Sequence, residues 1–117
     1  LALALRQRVL TALSNNPAAR PTMLRVFNNT ALPVALRTRA ASALGVLGTV
    51  QDVMPLADTV HNTEEVIALR LACMQSLAIL QPSKAARVFA MLLEQPDTTA
   101  ILRYQARTLL MRCIHTR

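Results

Sequence analysis

Apolar residues recur along this chain at steps of three and four, in seven stretches separated by short polar or proline-containing segments. Such steps gather the apolar side chains on one face of a helix. The stretches are of two alternating kinds. Four of them open on an apolar pair followed by arginine: Ala4-Leu5-Arg6, Ala35-Leu36-Arg37, Ala68-Leu69-Arg70 and Ile101-Leu102-Arg103. With the arginine as position 0, position −1 holds Leu5, Leu36, Leu69 and Leu102, and position +3 holds Val9, Ala40, Cys73 and Ala106. Position +7 holds Leu13, Leu44, Leu77 and Leu110, and position +10 holds Asn16, Leu47, Leu80 and Cys113. The pattern predicts first helices near residues 2–14, 34–47, 66–80 and 99–114. The small residues at +3 would let neighbouring helices approach closely.

Counting back from the same arginines describes the other three stretches. Position −14 holds Met23, Leu56 and Phe89, position −13 holds Leu24, Ala57 and Ala90, and position −10 holds Phe27, Val60 and Leu93. Second helices are predicted near 19–28, 52–61 and 83–94. Turn chemistry suits these boundaries: Gly48 closes a helix, Pro82-Ser83 opens one, and Thr63 caps one whose first turn carries Glu64 and Glu65. Pro96-Asp97 is expected to do the same for the last helix.

The last three arginines lie 33 residues apart, twice over, and the first lies 31 before the second. A fixed period of this size marks stacked supersecondary units. The two missing residues fall in the turn near Ser14-Asn15-Asn16-Pro17. The expected fold is therefore all-α, a short right-handed α-α superhelix of seven helices, made of three helical hairpins and one extra helix. It forms one domain over 1–117, with repeats near 2–30, 31–63 and 64–97 and an incomplete one at 98–117. The last helix keeps Leu102, Ala106, Leu109, Leu110 and Cys113 apolar without a following partner. An exposed core face is expected there, meeting a further repeat or another subunit.

Composition narrows the chemistry. At 117 residues the chain can bury about two-thirds of its unfolded surface. Only Phe27, Phe89 and Tyr104 are aromatic, so the core must be Leu, Ala, Val and Met. The net charge of +7 comes from twelve arginines and Lys84 against six acids. That balance favours anionic partners, but the arginines are scattered, and their excess over lysine equally fits a GC-rich coding bias. No run of 18 apolar residues exists to span a membrane. The opening Leu1–Leu5 run is too short for a secretory signal. Because the sequence does not begin with Met, it is read as a piece of a longer protein or a processed product. Two unpaired cysteines and the lack of a signal favour a cytoplasmic setting.

From Arg37 the chain reads Arg-Thr-Arg-Ala-Ala-Ser-Ala-Leu-Gly-Val-Leu-Gly, then Thr-Val-Gln-Asp-Val-Met-Pro-Leu. This resembles a HEAT repeat of the short bacterial, phycobilisome-lyase-like type. Pro55 sits one place late and Asp52 three places after the usual acid. The copies opened by Arg70 and Arg103 are degenerate. The resemblance implies a bacterial scaffold or adaptor; a chromophore-lyase role is suggested only by the family name, and no site for it is visible.

The arginines Arg6, Arg37, Arg70 and Arg103 lie on the apolar stripe, so they need acceptors. Carbonyls at the end of the preceding helix, and Asn29, Asn62, Glu65 and Asp97, are the candidates. A ladder joining repeat to repeat is the favoured reading; direct ligand binding is the alternative. Cys73 and Cys113 share the core stripe but are offset by seven residues, about 10 Å along a helix. With about 8–10 Å between packed helices they exceed the ~7 Å limit for a disulfide, so two buried thiols are expected. His61 and His115 sit near helix ends without a nucleophile to serve. There is no Cys-x-x-Cys, His-x-x-x-His or glycine-rich phosphate loop, so no catalytic residue, metal ligand or cofactor site is assigned. Positions −16 and −12 of the second helices hold Pro21, Arg25, Met54, Asp58, Arg87 and Met91. With two arginines, an acid and two flexible methionines, Arg25, Met54, Asp58, Arg87 and Met91 suit a groove for a protein or peptide. An ordinary solvated face is the plainer alternative, and a basic groove for nucleic acid a third.

Overall fold

The computed structural model describes residues 2–115. Among them the chain forms no strand and seven α-helices: α1 (Leu3–Leu13), α2 (Arg20–Asn28), α3 (Val34–Leu47), α4 (Val53–His61), α5 (Ile67–Leu80), α6 (Pro82–Glu94) and α7 (Ala100–His115). Each end lies within one residue of its expected place. Helices α2 and α4 are led in by single 3-10 turns, Pro17–Ala19 and Val50–Asp52. Asn16 and Thr49 cap these turns: Asn16 Oδ1 accepts from the Ala18 N–H at 3.0 Å, and Thr49 Oγ1 from the Gln51 N–H at 3.3 Å. Helix α6 starts on Pro82, where a missing N–H costs nothing.

Two of the expected caps are corrected. Thr63, Glu64 and Glu65 lie in the turn before α5, which is entered through extended Val66. Asn62 explains this, because its Oδ1 takes the Glu64 N–H at 3.0 Å and so closes a turn instead of opening a helix. Asn29 makes the same turn, accepting from the Ala31 N–H at 3.1 Å. Likewise Pro96-Asp97 stands in a turn, and α7 begins three residues beyond Asp97. There the Thr98 hydroxyl is turned back onto the Leu92 carbonyl at 2.8 Å.

Every substantial packing contact joins helices one or two places apart along the chain. The first helices pack in order, α1 on α3, α3 on α5 and α5 on α7. The second helices pack chiefly on the first helix that follows them, α2 on α3, α4 on α5 and α6 on α7. The close pairs are thus α2–α3, α4–α5 and α6–α7, and the helix left over is α1. The exposed core face expected on α7 is met only in part: Ile101, Tyr104, Met111 and Ile114 are exposed. The α7 residues Leu102, Ala106, Leu109 and Cys113 are buried, because α5 and α6 cover them.

The core runs without a break through Met23, Phe27, Leu44, Leu56, Leu69, Leu77, Phe89 and Leu102. The small residues Ala40, Cys73 and Ala106 at position +3 are fully buried. The tightest approach is between α3 and α5. Ser76 Oγ donates to the Ala41 carbonyl at 2.5 Å, and a Cβ on Gly45 would stand 2.9 Å from Ser76 Oγ and 3.1 Å from Ser76 Cα. The hydroxyl could turn aside, but the Cα could not. Gly45→Val should therefore lower the free energy of unfolding by about 1–3 kcal/mol through overpacking. Val46→Ala, at an exposed neighbour, should stay within about 0.5 kcal/mol. Chemical denaturation of both variants checks this, and equal effects would contradict the close approach.

Candidate interaction surfaces

Three of the ladder arginines reach back over one distance. Nε of Arg37 donates to the Phe27 carbonyl at 3.1 Å, Nε of Arg70 to the Val60 carbonyl at 2.8 Å, and Nη1 of Arg103 to the Leu93 carbonyl at 3.1 Å, each ten residues upstream. Phe27, Val60 and Leu93 are the penultimate residues of α2, α4 and α6. Their carbonyls have no donor within their own helix, and a cation there also meets the negative end of the helix dipole. Arg37, Arg70 and Arg103 are therefore the C-terminal caps of α2, α4 and α6.

Additional partners differ from rung to rung. Arg37 pairs with Glu65 at 3.3 Å. Arg103 donates Nε to the Thr98 carbonyl at 3.1 Å and Nη2 to the Gln95 carbonyl. Of the acceptors expected from sequence, the preceding-helix carbonyls and Glu65 serve. Glu65, however, serves the arginine of the earlier repeat, since its place in the turn faces back toward α3. Asn29 and Asn62 are spent on their own turns, and no bond joins Asp97 to a ladder arginine. For Arg6 the position ten residues back lies outside the sequence. Among the described residues its side chain meets neither a carbonyl nor an acid.

A second set of links ties units side by side. Arg20 grips Asp52 through Nε–Oδ2 at 2.8 Å and Nη2–Oδ1 at 2.7 Å, joining the starts of α2 and α4. Asp52 Oδ2 also accepts the Thr49 N–H at 2.8 Å, which completes a capping box. Burial alone would raise the Asp52 pKa. The Arg20 bonds, the Thr49 N–H and the Arg20 charge outweigh it, and hold the carboxyl below its ordinary 3.8. Arg39 Nη1 donates to Thr11 Oγ1 at 3.0 Å between α3 and α1. The Arg20–Asp52 pair had no sequence signal of its own beyond Asp52 standing off the usual acid register.

The second-helix residues Arg25, Met54, Asp58, Arg87 and Met91 are all exposed, as is Pro21. They stand on α2, α4 and α6, and α4 and α6 touch only lightly. Four cavities lie along the first helices, and none of these four is lined by any of the five. The structure therefore presents them on an open row and does not gather them into a pocket. Arg8 and Arg39 line one cavity together, so the exposed arginines are divided between the two rows.

No protein-family model, no curated protein and no solved structure matches the chain.

The thiols sit where the stripe put them. Cys73 and Cys113 are unpaired and buried; burial pushes the Cys73 pKa up to about 12 and raises that of Cys113, which suppresses thiolate chemistry. His61 ends α4, where burial and the Arg70 charge push its imidazole down toward the neutral form. Among the described residues no three His, Cys, Asp or Glu side chains are grouped to hold a metal, and no helix is long and apolar enough to cross a membrane.

Two tests follow from this geometry. Arg37→Ala strips a helix-end carbonyl and a half-buried carboxylate of their donor, and should cost about 2–3 kcal/mol of stability. Arg6→Ala should stay within about 0.5 kcal/mol. Urea unfolding that gave equal losses would sink the capping role. For Asp52, the folded pKa is the depressed one. Its carboxylate therefore stabilises the fold fully above the unfolded value of 3.8, and that contribution is lost as pH falls through the folded pKa. Asp52→Asn should flatten the acid limb of the stability–pH curve, while leaving a lower plateau at neutral pH.

Proposed function

We propose that the chain is a non-catalytic repeat scaffold of HEAT type, a right-handed α-solenoid that binds a protein or peptide along the row of its second helices. Packing confined to helices one or two places apart supports the stacked architecture, since stacked repeats touch only their neighbours. The polar links support it too. The links Arg20–Asp52, Arg37–Glu65, Arg39–Thr11 and Ser76–Ala41 each span 28 to 35 residues, about one repeat.

The observation that carries the binding reading is the uniform exposure of positions −16 and −12 on three successive helices. The positions between them, Met23, Leu56 and Phe89, are fully buried. Core constraints fix one face of each second helix and leave the other free to vary, here as Pro21, Arg25, Met54, Asp58, Arg87 and Met91. Met54 and Met91 are 62% and 51% exposed, which puts two adaptable apolar side chains into water beside charges of both signs. The raised pKa values of both buried thiols speak against nucleophilic chemistry.

Affinity capture with the chain, followed by mass spectrometry, identifies the partner. Arg25→Glu with Arg87→Glu should then reduce its retention at least tenfold with helicity unchanged, a change of about 1.4 kcal/mol. Retention unaltered by that pair would remove the assigned face. The competing nucleic-acid reading draws on Arg8 and Arg39 sharing one cavity. It requires binding that falls steeply with salt, and a gel shift that is blank at low salt eliminates it.

A further inference from the structure

The rung in the middle of the array differs from those on either side of it. Arg70 is 7% exposed, as is Arg37. Its Nε donates to the Val60 carbonyl, which uses one of the five N–H groups of the guanidinium. At Arg37 the rest of the fork goes to Glu65, Nη1 to Oε1 at 3.4 Å and Nη2 to Oε2 at 3.3 Å. At Arg103 it goes to the Leu93 and Gln95 carbonyls. Among the described residues Nη1 and Nη2 of Arg70 meet neither a carbonyl nor a carboxylate. Helix α5 packs on α3, α4, α6 and α7, so the contrast lies inside the array and not at either end.

The sequence accounts for the difference. Glu65 stands 28 residues after Arg37, and the residue 28 after Arg70 is Thr98. The Thr98 hydroxyl is spent on the Leu92 carbonyl, and its own carbonyl on Arg103. A charge this buried is costly without a counter-ion. The fork is nevertheless open to solvent, because the one partnerless side-chain polar atom sealed from it, among the described residues, is Thr38 Oγ1.

We propose that Nη1 and Nη2 of Arg70 receive a carboxylate from an acidic residue of the bound protein or peptide, as those of Arg37 receive Glu65. The proposal rests on the second-helix row as the binding face and names one contact beside it. Helix α4 joins the two: Asp58 of the row stands one turn before His61, and His61 feels the Arg70 charge. The rung at Arg37 shows the chemistry, two carboxylate oxygens on two Nη groups. None of the four cavities is lined by Arg70. The fork therefore suits one planar group at the end of a longer chain better than a free small molecule.

The probe is a tetraglutamate peptide blocked at both ends, with acetate and inorganic phosphate compared at equal ionic strength. Nuclear magnetic resonance of the whole chain follows the Arg70 Nε–H and the His61 imidazole. The peptide should shift both saturably, at least about tenfold more tightly than acetate or phosphate. It should also raise the His61 pKa, which burial and then the Arg70 charge hold down. Thr98→Glu supplies a carboxylate in the place of Glu65 without removing the Arg70 cap. It should weaken the peptide at least about tenfold with helicity unchanged. No saturable shift at Arg70 in the parent chain overturns the proposal, as does peptide binding undiminished by Thr98→Glu. Acetate as tight as the peptide overturns the peptide source, and phosphate as tight overturns the carboxylate. The Arg70 response should survive Arg25→Glu with Arg87→Glu. Failure of the row, read from partner retention in that variant, is thus distinguishable from failure at Arg70.

Discussion

A helix that stops inside a protein leaves its last carbonyls without donors, and a core of leucine, alanine and methionine offers none. In this molecule the donor comes from the next helix in the chain. Arg37, Arg70 and Arg103 each place an N–H on the penultimate carbonyl of the helix before. The bond fixes three things together: where the second helix ends, how far the chain runs before the next one starts, and how that next helix is rotated. Leucine at −1 and the small residue at +3 are then carried into the core by the helical repeat, since both lie on the arginine's stripe. The 33-residue period is the length over which this bond recurs.

Burial along the arginine stripe differs between α1 and the other first helices. The contacts of α3, α5 and α7 are complete on the upstream side because α2, α4 and α6 are there. Helix α1 carries the same stripe, with Leu5 and Val9 half exposed. Helix α7 buries its stripe against α6 and α5, and the apolar groups it exposes, Ile101, Tyr104, Met111 and Ile114, lie off that stripe.

The helix limits were legible in the sequence because two independent signals, the stripe and the turn residues, had to agree at each end. The burial of Cys73 and the exposure of Arg25, Met54, Asp58, Arg87 and Met91 followed from the same stripes. Pairing was not legible. A stripe shows that a face is buried but not which neighbour buries it, so α1 and α2 could be taken for a hairpin when α2 in fact lies on α3. Local signals failed for a related reason. Thr63 before Glu64 and Glu65 reads as a helix start, but Asn62 sits one residue earlier and closes a turn first. Glu65 is then free to reach Arg37, a partner 28 residues away that no local pattern announces.

The rungs also explain why these positions require arginine. Lysine could place a charge at a helix end, but it brings one compact ammonium. Arg103 uses Nε, Nη1 and Nη2 on three different carbonyls, those of Thr98, Leu93 and Gln95. Arg37 splits its fork between the Phe27 carbonyl and Glu65. The turns beside the rungs differ: Glu65, five before Arg70, gives its carboxylate to Arg37, while Thr98, five before Arg103, gives its backbone carbonyl to Arg103 itself. A planar donor with five N–H groups accommodates either neighbour while still capping the helix. The apolar stripe can then stay constant while the turn beside it varies.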